Sequence, residues 1–377
     1  MSYRRLIKDM DFTLLAAVLL LIGFGVVVQA SATTNMPVGG DPWYYTKRQA
    51  LYAGVGLVTM FAVMAVDYRT FARWYKVIYV GNVGLLGLVM LAGHAAMGAQ
   101  RWFRIGPFSV QPSEFAKVAI ILTLAALLSR RVDRLERWTD LVVPFVHAGL
   151  PMVIILTQPD LGTSLVFTAI LLGMLFIAGA RWTHLVAIYG GGLAAAVTWV
   201  ILHLQYGVWI PLKTYQLNRL IVFARPNVDP LGAGYHIKQA LVAIGSGRIL
   251  GKGLFTGTQS RLRFLPMQHT DFVFAVVGEE LGFVGAIVLL GLFLVIIWRG
   301  VRIAAEAKDA YGTLVATGIV SLFAFHVLVN VGMTIGVMPI TGIPLPFISN
   351  GGSAMVTYCA AVGLLLGIHF RRRAISF

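Results

Sequence analysis

Long apolar stretches recur along the whole 377-residue chain, from Phe12 to Phe370. A bilayer core about 30 Å thick requires roughly 20 mostly apolar residues for each helix that crosses it. Soluble domains carry about 25% charged residues, whereas this chain carries 12%, and its mean hydropathy is +0.81. The sequence therefore predicts an all-α, polytopic integral membrane protein in which residues 1–377 form a single domain.

Basic residues at the ends of the apolar stretches indicate how the helices are oriented. If the N-terminus is cytoplasmic, the inner segments hold 17 Lys and Arg residues and the short outer loops hold 4. Short cytoplasmic loops are enriched in Lys and Arg, so both chain ends are predicted to be cytoplasmic. Arg4, Arg5 and Lys8 precede the first apolar stretch, which is predicted to be a retained helix rather than a cleaved signal. The ten predicted spans are 12–30, 49–66, 75–94, 113–129, 141–157, 164–180, 185–203, 272–298, 313–333 and 353–370.

The charge and cysteine content exclude several classes of function. The net charge of +15 is mostly an inner-leaflet signature, and no predicted inner loop is long enough for a nucleic-acid recognition module. We therefore expect membrane lipid, and no nucleic acid, as a partner. The single cysteine, Cys359, excludes an intramolecular disulfide and a cysteine metal cluster, and we expect it to pack inside the last helix.

One connection is much longer than the others. Residues 204–271 follow the seventh predicted helix and form a large extracytoplasmic loop in the predicted topology. Loops longer than about 12–15 residues in a compact protein are usually functional or disordered. This loop alternates apolar and polar residues from Tyr215 to Val222, which predicts short amphipathic or re-entrant helices against the outer membrane surface.

A few carboxylates lie at depths where ionisable groups are costly. Glu114 opens the fourth predicted helix, Asp160 follows the fifth, and Asp271 opens the eighth, all at the outer boundary. Glu279 and Glu280 lie two turns further into the eighth helix. Charged groups at membrane depth are functional candidates by default, so these positions predict a site at the outer face.

Each of these carboxylates also has a structural interpretation. Glu114 could pair with Lys117 one turn on, Asp160 and Asp271 could cap helices, and Glu280 could belong to a buried pair. Three carboxylates at the outer face of one bundle are stronger evidence for a functional site than any one of them alone.

Cations and glycines accompany the carboxylates in the large loop. Segment 245–253 resembles a nucleotide phosphate loop but departs from the Walker spacing at Ser246 and Gly253. A glycine-rich backbone beside cations could cradle a phosphate or a lipid headgroup, and a flexible loop on anionic lipid is the alternative. The cations are Arg248, Lys252, Arg261 and Arg263.

A second outer loop offers an aromatic side chain between cations. Trp102 lies between Arg101 and Arg104 and could form a stacking surface for a substrate. A tryptophan at this depth is also typical of the aromatic belt at the membrane interface. Both interpretations of Trp102 remain open from the sequence.

An enzyme at the outer face needs a substrate that arrives already activated, because no ATP is available there. A lipid-linked pyrophosphate sugar meets that need: cations would hold the leaving pyrophosphate, and a carboxylate would take a proton from the attacking hydroxyl. Composition and spacing alone do not distinguish such an enzyme from a transporter. A scaffold that only recruits a synthase is a third alternative, and it does not account for the clustered charges.

Recognisable motifs follow one another along nearly the whole chain, at 98–102, 111–117, 158–163, 234–239, 243–247, 251–253, 264–272 and 338–349. In this order they resemble the SEDS family (RodA, FtsW, SpoVE) of bacterial peptidoglycan polymerases. Segments 268–271 and 341–344 are similar to the elongation members rather than the division members.

The resemblance implies a multi-pass plasma-membrane glycosyltransferase that polymerises lipid II into β-1,4-linked glycan strands at the outer face. The growing strand on undecaprenyl pyrophosphate would be the donor, and Asp271 the general base. A divalent cation, Mg²⁺ or Mn²⁺, is implied without assigned ligands, and a class B penicillin-binding protein is the implied partner. A lipid II flippase is the alternative. The implied substrate contacts are Arg101, Trp102, Glu114, Lys117, Asp160, Lys252 and His269.

Three positions depart from the family pattern. Met267 stands where the family usually has Glu, Arg248 where it often has Gly, and Asn350 where Tyr usually precedes the paired glycines. None of these changes removes Asp271, so they predict altered loop contacts rather than a loss of activity.

Overall fold

The chain, seen in a computed structural model, is described over residues 10–372 apart from 97, 98, 107, 211, 226, 227, 230 and 231. Fifteen helices lie in this part of the chain. In order they are α1 (Phe12–Thr33), α2 (Tyr44–Ala65), α3 (Tyr68–Arg73), α4 (Tyr75–Ala92), α5 (Pro112–Leu128), α6 (Trp138–Thr157), α7 (Leu161–Ile177), α8 (Trp182–Tyr206), α9 (Thr214–Ala224), α10 (Ala233–Gly247), α11 (Thr258–Arg261), α12 (Val273–Glu280), α13 (Gly282–Ala305), α14 (Ala310–Thr334) and α15 (Gly352–Arg371).

Nine of the ten predicted spans each correspond to one helix, and the span 272–298 corresponds to two. Eight helices (α1, α2, α4, α6, α8, α13, α14 and α15) are long and apolar enough to cross a membrane. Helices α5 and α7, of 17 residues each, occupy the predicted spans 113–129 and 164–180. The predicted all-α, multi-pass fold is confirmed. The basic residues Arg4, Arg5 and Lys8, and both chain ends, lie outside the described residues.

The prediction of one continuous helix over 272–298 is wrong. Helix α12 ends at Glu280, and α13 begins at Gly282, whose φ of 64° is left-handed. A Cβ at that glycine would lie 2.3 Å from the amide nitrogen of Gly251, so the large loop packs directly into the break. The loop also supplies the carbonyl of Arg248 to the first turn of α13, through a 2.9 Å hydrogen bond from Phe283 N.

A small antiparallel sheet connects α4 to α5. Its strands, in the order β1-β2-β3, are β1 (His94–Ala96), β2 (Ala99–Ile105) and β3 (Phe108–Val110). Gly106, with φ of 58°, provides the backbone conformation required after β2. The sequence did not predict this sheet, because strands of three to seven residues in a polar, glycine-containing loop do not show the alternation of apolar and polar residues that identifies a strand. The sheet matters because β2 carries Arg101 and Trp102.

Helices α14 and α15 form the centre of the bundle. Most of the spanning part of α15 (83%) is buried inside the protein, against 6% for α8, so α8 lies at the lipid-facing periphery. Glycines allow α15 to pack closely on α2, since a Cβ at Gly363 would lie 2.4 Å from the Met60 carbonyl oxygen. Cys359 is a buried free thiol that contacts Gly56 in the same interface, which agrees with a packing role.

The large loop contains short helices, as the sequence predicted. Helix α8 ends at Gly207, which has φ of 69° and forms a left-handed cap. The carboxylate of Asp229 then accepts hydrogen bonds from the amides of Gly232 (2.9 Å) and Ala233 (3.0 Å) at the start of α10. Helices α9, α10 and α11 therefore fold as ordered elements, and their position against a membrane surface remains a prediction.

Replacing Arg248 by glycine is expected to raise the free energy of unfolding by about 1–3 kcal/mol, because its conformation is one that glycine tolerates and side-chain-bearing residues rarely adopt. Its φ of 52° and ψ of −136° place it in that region, which accounts for the glycine that the family often has there. Chemical or thermal unfolding in detergent would measure the change. Arg248→Ala removes the same charge but keeps a Cβ, so equal stability of the two variants would contradict the explanation.

Candidate active site

Asp271 occupies the last turn before α12, where two loop segments meet. Its backbone carbonyl accepts a 3.0 Å hydrogen bond from Nδ2 of Asn330, a fully buried residue of α14. The same amide nitrogen donates to the carbonyl of Ile343 at 2.8 Å. Asn330 therefore fastens the segment that carries Asp271 to the 338–349 segment, a contact that the sequence did not predict.

Further hydrogen bonds join the segments 268–271 and 341–350. Nε2 of Gln29 in α1 donates to the carbonyls of His269 (2.8 Å) and Ile348 (2.9 Å). The backbone amide of Asn350 donates to the same His269 carbonyl at 2.9 Å, so this departure from the family pattern keeps a backbone contact to the site. The two motifs are distant in sequence but form one rigid surface.

The His269 side chain is half-buried in this surface. Its ring centre lies 5.1 Å from that of Tyr45 in α2, and burial lowers the pKa of His269 below its ordinary value. A neutral imidazole two residues before Asp271 can hydrogen-bond a sugar but does not add a positive charge. A substrate contact by His269 remains a prediction.

The environment of the Asp271 carboxylate sets its strength as a base. Burial raises its pKa above the ordinary aspartate value, and the positive charge of Arg219 and a hydrogen bond from Thr270 oppose that rise. The negative charge of Asp160 raises the pKa further. Asp271, Asp160 and Arg219 therefore act on one another, although they come from three different parts of the chain.

Asp160 lies at a turn that two outer elements contact. It caps α7 by accepting a 3.1 Å hydrogen bond from Thr163 N, and the guanidinium of Arg101 lies 3.7 Å from its carboxylate. Arg101 also donates to the carbonyls of Gln158, at 2.5 Å, and Pro159. Asp160 is therefore both a cap and a member of an ion pair, and the half-buried Trp102 follows Arg101 in β2.

Helix α9 brings the large loop to the same place. The hydroxyl of Tyr215 donates to the carbonyl of Pro159 at 2.8 Å, and the guanidinium of Arg219, one turn on, lies 5.6 Å from the Tyr215 ring centre. This docking places Arg219 close to Asp271. The sequence signal for Arg219 was only its position on an amphipathic stretch, so it was not selected as a site residue.

Glu114 and Lys117 form a buried ion pair inside the bundle. Their Oε2 and Nζ atoms are 2.8 Å apart, and the two residues are only 5% and 1% exposed. Nζ of Lys117 also lies 3.4 Å from Nε2 of His326 and 5.6 Å from the Tyr358 ring centre. The pairing that the sequence left open is thus present, and a substrate contact by either residue remains a prediction.

Lys252 is also engaged in an internal ion pair. Its ammonium lies 2.8 Å from the carboxylate of Glu279, which is fully buried and also accepts from Gln259 N at 2.8 Å. The neighbouring Glu280 accepts a 2.5 Å hydrogen bond from the Ser31 hydroxyl of α1. These two glutamates hold the 252–260 segment against α12 and α1.

The described residues do not fit a metal site made by protein alone. Among them, no three His, Cys, Asp or Glu side chains converge on a point where a cation could bind. Mg²⁺ in phosphate-transfer sites often binds through one or two carboxylates together with substrate phosphates. A cation carried by a pyrophosphate is therefore compatible with this site.

Comparison with known proteins gives a consistent result over the full length of the chain. The sequence profile of the FtsW/RodA/SpoVE family, described as "Cell cycle protein", matches residues 10–374. Stage V sporulation protein E of Bacillus subtilis (strain 168) is 39% identical over 373 residues, covering 98% of this chain and 98% of the relative. The peptidoglycan glycosyltransferase RodA of Treponema pallidum is 36% identical over 435 residues, covering 97% and 99%.

A solved structure shares the architecture. One chain of a peptidoglycan synthase complex, described as coordinating polymerization and crosslinking, superimposes with a TM-score of 0.80. It is 31% identical in sequence, and the match covers 97% of this chain and 99% of that chain. On this basis, the protein belongs to the FtsW/RodA/SpoVE family of multi-pass membrane proteins.

Proposed function

We propose that this protein is a peptidoglycan glycosyltransferase that polymerises lipid II into β-1,4-linked glycan strands, with Asp271 as the general base. The observation that carries the proposal is the half-buried Asp271 carboxylate, with its raised pKa, at the junction of two family motifs and beside Arg219. The relative from Treponema pallidum is named a peptidoglycan glycosyltransferase, and it matches this chain over nearly its full length.

The proposed step is an inverting displacement at C1 of the donor sugar. Asp271 takes the proton from the 4-hydroxyl of the GlcNAc of an incoming lipid II, and that oxygen bonds to C1 of the donor MurNAc. The bond from C1 to the phosphate oxygen breaks, and its electron pair leaves with undecaprenyl pyrophosphate. A raised pKa makes Asp271 a stronger proton acceptor than a free aspartate, since efficient catalytic bases have pKa values near the working pH.

The alternative, a lipid II flippase, loses its main support. Glu279 and Glu280 were the carboxylates deep enough to suggest a transport pathway. Both accept hydrogen bonds from neighbouring chain segments, and Glu279 is also paired with Lys252. Transport sites typically lie near the bilayer midplane on broken helices. Here the break between α12 and α13 is filled by the large loop rather than open to a substrate.

The cellular setting is part of the same proposal. Cytoplasmic chain ends would place α9–α11 and Asp271 at the outer face of a bacterial plasma membrane, where lipid II is polymerised. A class B penicillin-binding protein is the expected partner, supported by the similarity to a chain of a complex that couples polymerization to crosslinking. A role in elongation rests on motifs 268–271 and 341–344, because relatives named for sporulation and as RodA have similar identities, 39% and 36%.

The proposed divalent cation, Mg²⁺ or Mn²⁺, would enter with the pyrophosphate and balance its charge. The lack of three converging ligands among the described side chains supports this route, and the step above does not pass through the ion. Asp160 and Asp271 are the nearest carboxylates that could contribute a ligand.

The reaction rate is expected to depend on pH through Asp271. Only the carboxylate form accepts a proton, and burial raises the pKa of this group. The rate at low lipid II concentration should therefore be flat at high pH and fall about tenfold per pH unit below that pKa. Initial rates across a pH series would measure it. An acid limb at the ordinary aspartate pKa, near 3.9, would contradict the assigned environment.

The proposed function is tested with purified protein and labelled lipid II, supplied with Mg²⁺ or Mn²⁺ and a partner whose transpeptidase is blocked. Long glycan strands are the expected product. Exchange of lipid II between leaflets of a proteoliposome without any polymer would instead support the flippase and reject the polymerase.

A further inference from the structure

The guanidinium of Arg219 lies close enough to Asp271 to lower the pKa of that carboxylate, but it forms no direct ion pair in the described part of the chain. Its Cζ lies 5.6 Å from the centre of the Tyr215 ring, and none of the described hydrogen bonds or ion pairs involves its five N–H donors. The residue is half-buried, so it is partly removed from water that would otherwise solvate it. Desolvated guanidinium groups usually bind carboxylate or phosphate groups.

Gly342 lies next to both Arg219 and Asp271. A Cβ on that glycine would lie 3.4 Å from Oδ2 of Asp271 and 3.7 Å from Nη1 of Arg219. The guanidinium nitrogen and the carboxylate oxygen are therefore at most about 7 Å apart. No ion pair joins the two groups in the described part of the chain, so both can contact a third molecule that binds beside them.

We propose that Arg219 binds the pyrophosphate that leaves the donor during glycan polymerisation. This inference rests on the proposed function and adds a substrate contact to the same site. A hydrogen bond of about 2.8 Å from the base to the attacking hydroxyl, an attack distance of about 3.2 Å and one C–O bond of about 1.4 Å add up to about 7.4 Å along the path. Because the path bends at the hydroxyl oxygen, the leaving oxygen lies about 6–7 Å from the base. A guanidinium nitrogen no more than about 7 Å from the base can therefore donate a hydrogen bond to that oxygen.

The role follows from where charge moves in the reaction. When the bond from C1 to the phosphate oxygen breaks, its electron pair adds one negative charge to undecaprenyl pyrophosphate. A fixed guanidinium at that oxygen stabilises the transition state more than the ground state, because the charge is still developing. The proton lost by the attacking hydroxyl resides on Asp271, on the other side of the reacting carbon.

Binding can be tested separately from catalysis in an Asp271→Asn background that cannot use Asp271 as a base. The probe is undecaprenyl pyrophosphate titrated into this variant in nanodiscs. Adding Arg219→Gln is expected to weaken binding about 10- to 100-fold, and Arg219→Lys less, because lysine keeps the charge but loses the planar pair of donors. Lys213→Gln, at the start of the same helix, removes an equal charge and should leave binding unchanged.

The outcomes separate this inference from the proposed function. Equal affinity with Arg219→Gln, Arg219→Lys and Lys213→Gln would overturn the role of Arg219, even if the wild type polymerises lipid II normally. Equal losses with Arg219→Gln and Lys213→Gln would also overturn it, because they would indicate attraction by overall charge. In the otherwise wild-type enzyme, Arg219→Gln should lower kcat more than it raises KM, whereas a purely structural role predicts less folded enzyme with an unchanged kcat per folded molecule.

Discussion

Replacing Asp271 by asparagine is expected to lower the initial rate of glycan polymerisation by about 10²- to 10⁴-fold, the usual contribution of a general base. The amide keeps the shape of the side chain but cannot accept the proton. The backbone carbonyl of residue 271 still receives its hydrogen bond from Asn330, so the loop should keep its conformation. Fluorescent lipid II and gel separation of the products would measure the rate.

A matched variant controls for loss of charge alone. Asp41 is an exposed carboxylate paired with Lys47 in another loop, and Asp41→Asn should polymerise at the wild-type rate. If Asp271→Asn also retains a rate within a few-fold of wild type, Asp271 is not the base.

Replacing Lys117 by methionine is expected to destabilise the protein by about 3–5 kcal/mol, because it leaves a buried carboxylate without its partner. The pair that Lys117 makes with Glu114 is almost fully enclosed and only 2.8 Å long. Methionine keeps most of the side-chain volume, so the effect reports charge rather than a cavity. Reversible unfolding in mixed detergent micelles would give the free energy of unfolding.

The double variant Glu114→Gln with Lys117→Met should recover much of the lost stability, because neither charge then remains buried alone. The exposed Lys47, paired with Asp41, serves as the control, and Lys47→Met should leave stability almost unchanged. If Lys117→Met is as stable as the wild type but no longer binds lipid II, the residue is a substrate contact rather than a structural one.

The bundle could be predicted from the sequence because each span must be long and apolar by itself. Hydropathy therefore identified a segment for each of the ten long helices, and the charge pattern identified Asp160 and Asp271 as groups out of place in lipid. Local chemistry also predicted the cap at Asp160 and the pair of Glu114 with Lys117. These features depend on residues that are close in sequence.

The missed features depend on contacts between distant segments. The break before α13 exists because the backbone near Gly251 packs against Gly282, and no local pattern reveals that contact. Asn330 and Arg219 likewise matter because they lie close to Asp271, and only the folded chain brings them there. The sequence signal for Asn330 is a polar residue within an apolar stretch, and that for Arg219 is its position on an amphipathic helix.

The assignment of Asp271 as the base is tested most directly by a structure of the Asp271→Asn variant with lipid II bound at the acceptor position. The distance from the side-chain oxygen of residue 271 to the 4-hydroxyl oxygen of the acceptor GlcNAc should be about 2.6–3.2 Å. An acceptor bound with that hydroxyl beyond the reach of residue 271, even through one bridging water, would contradict the mechanism.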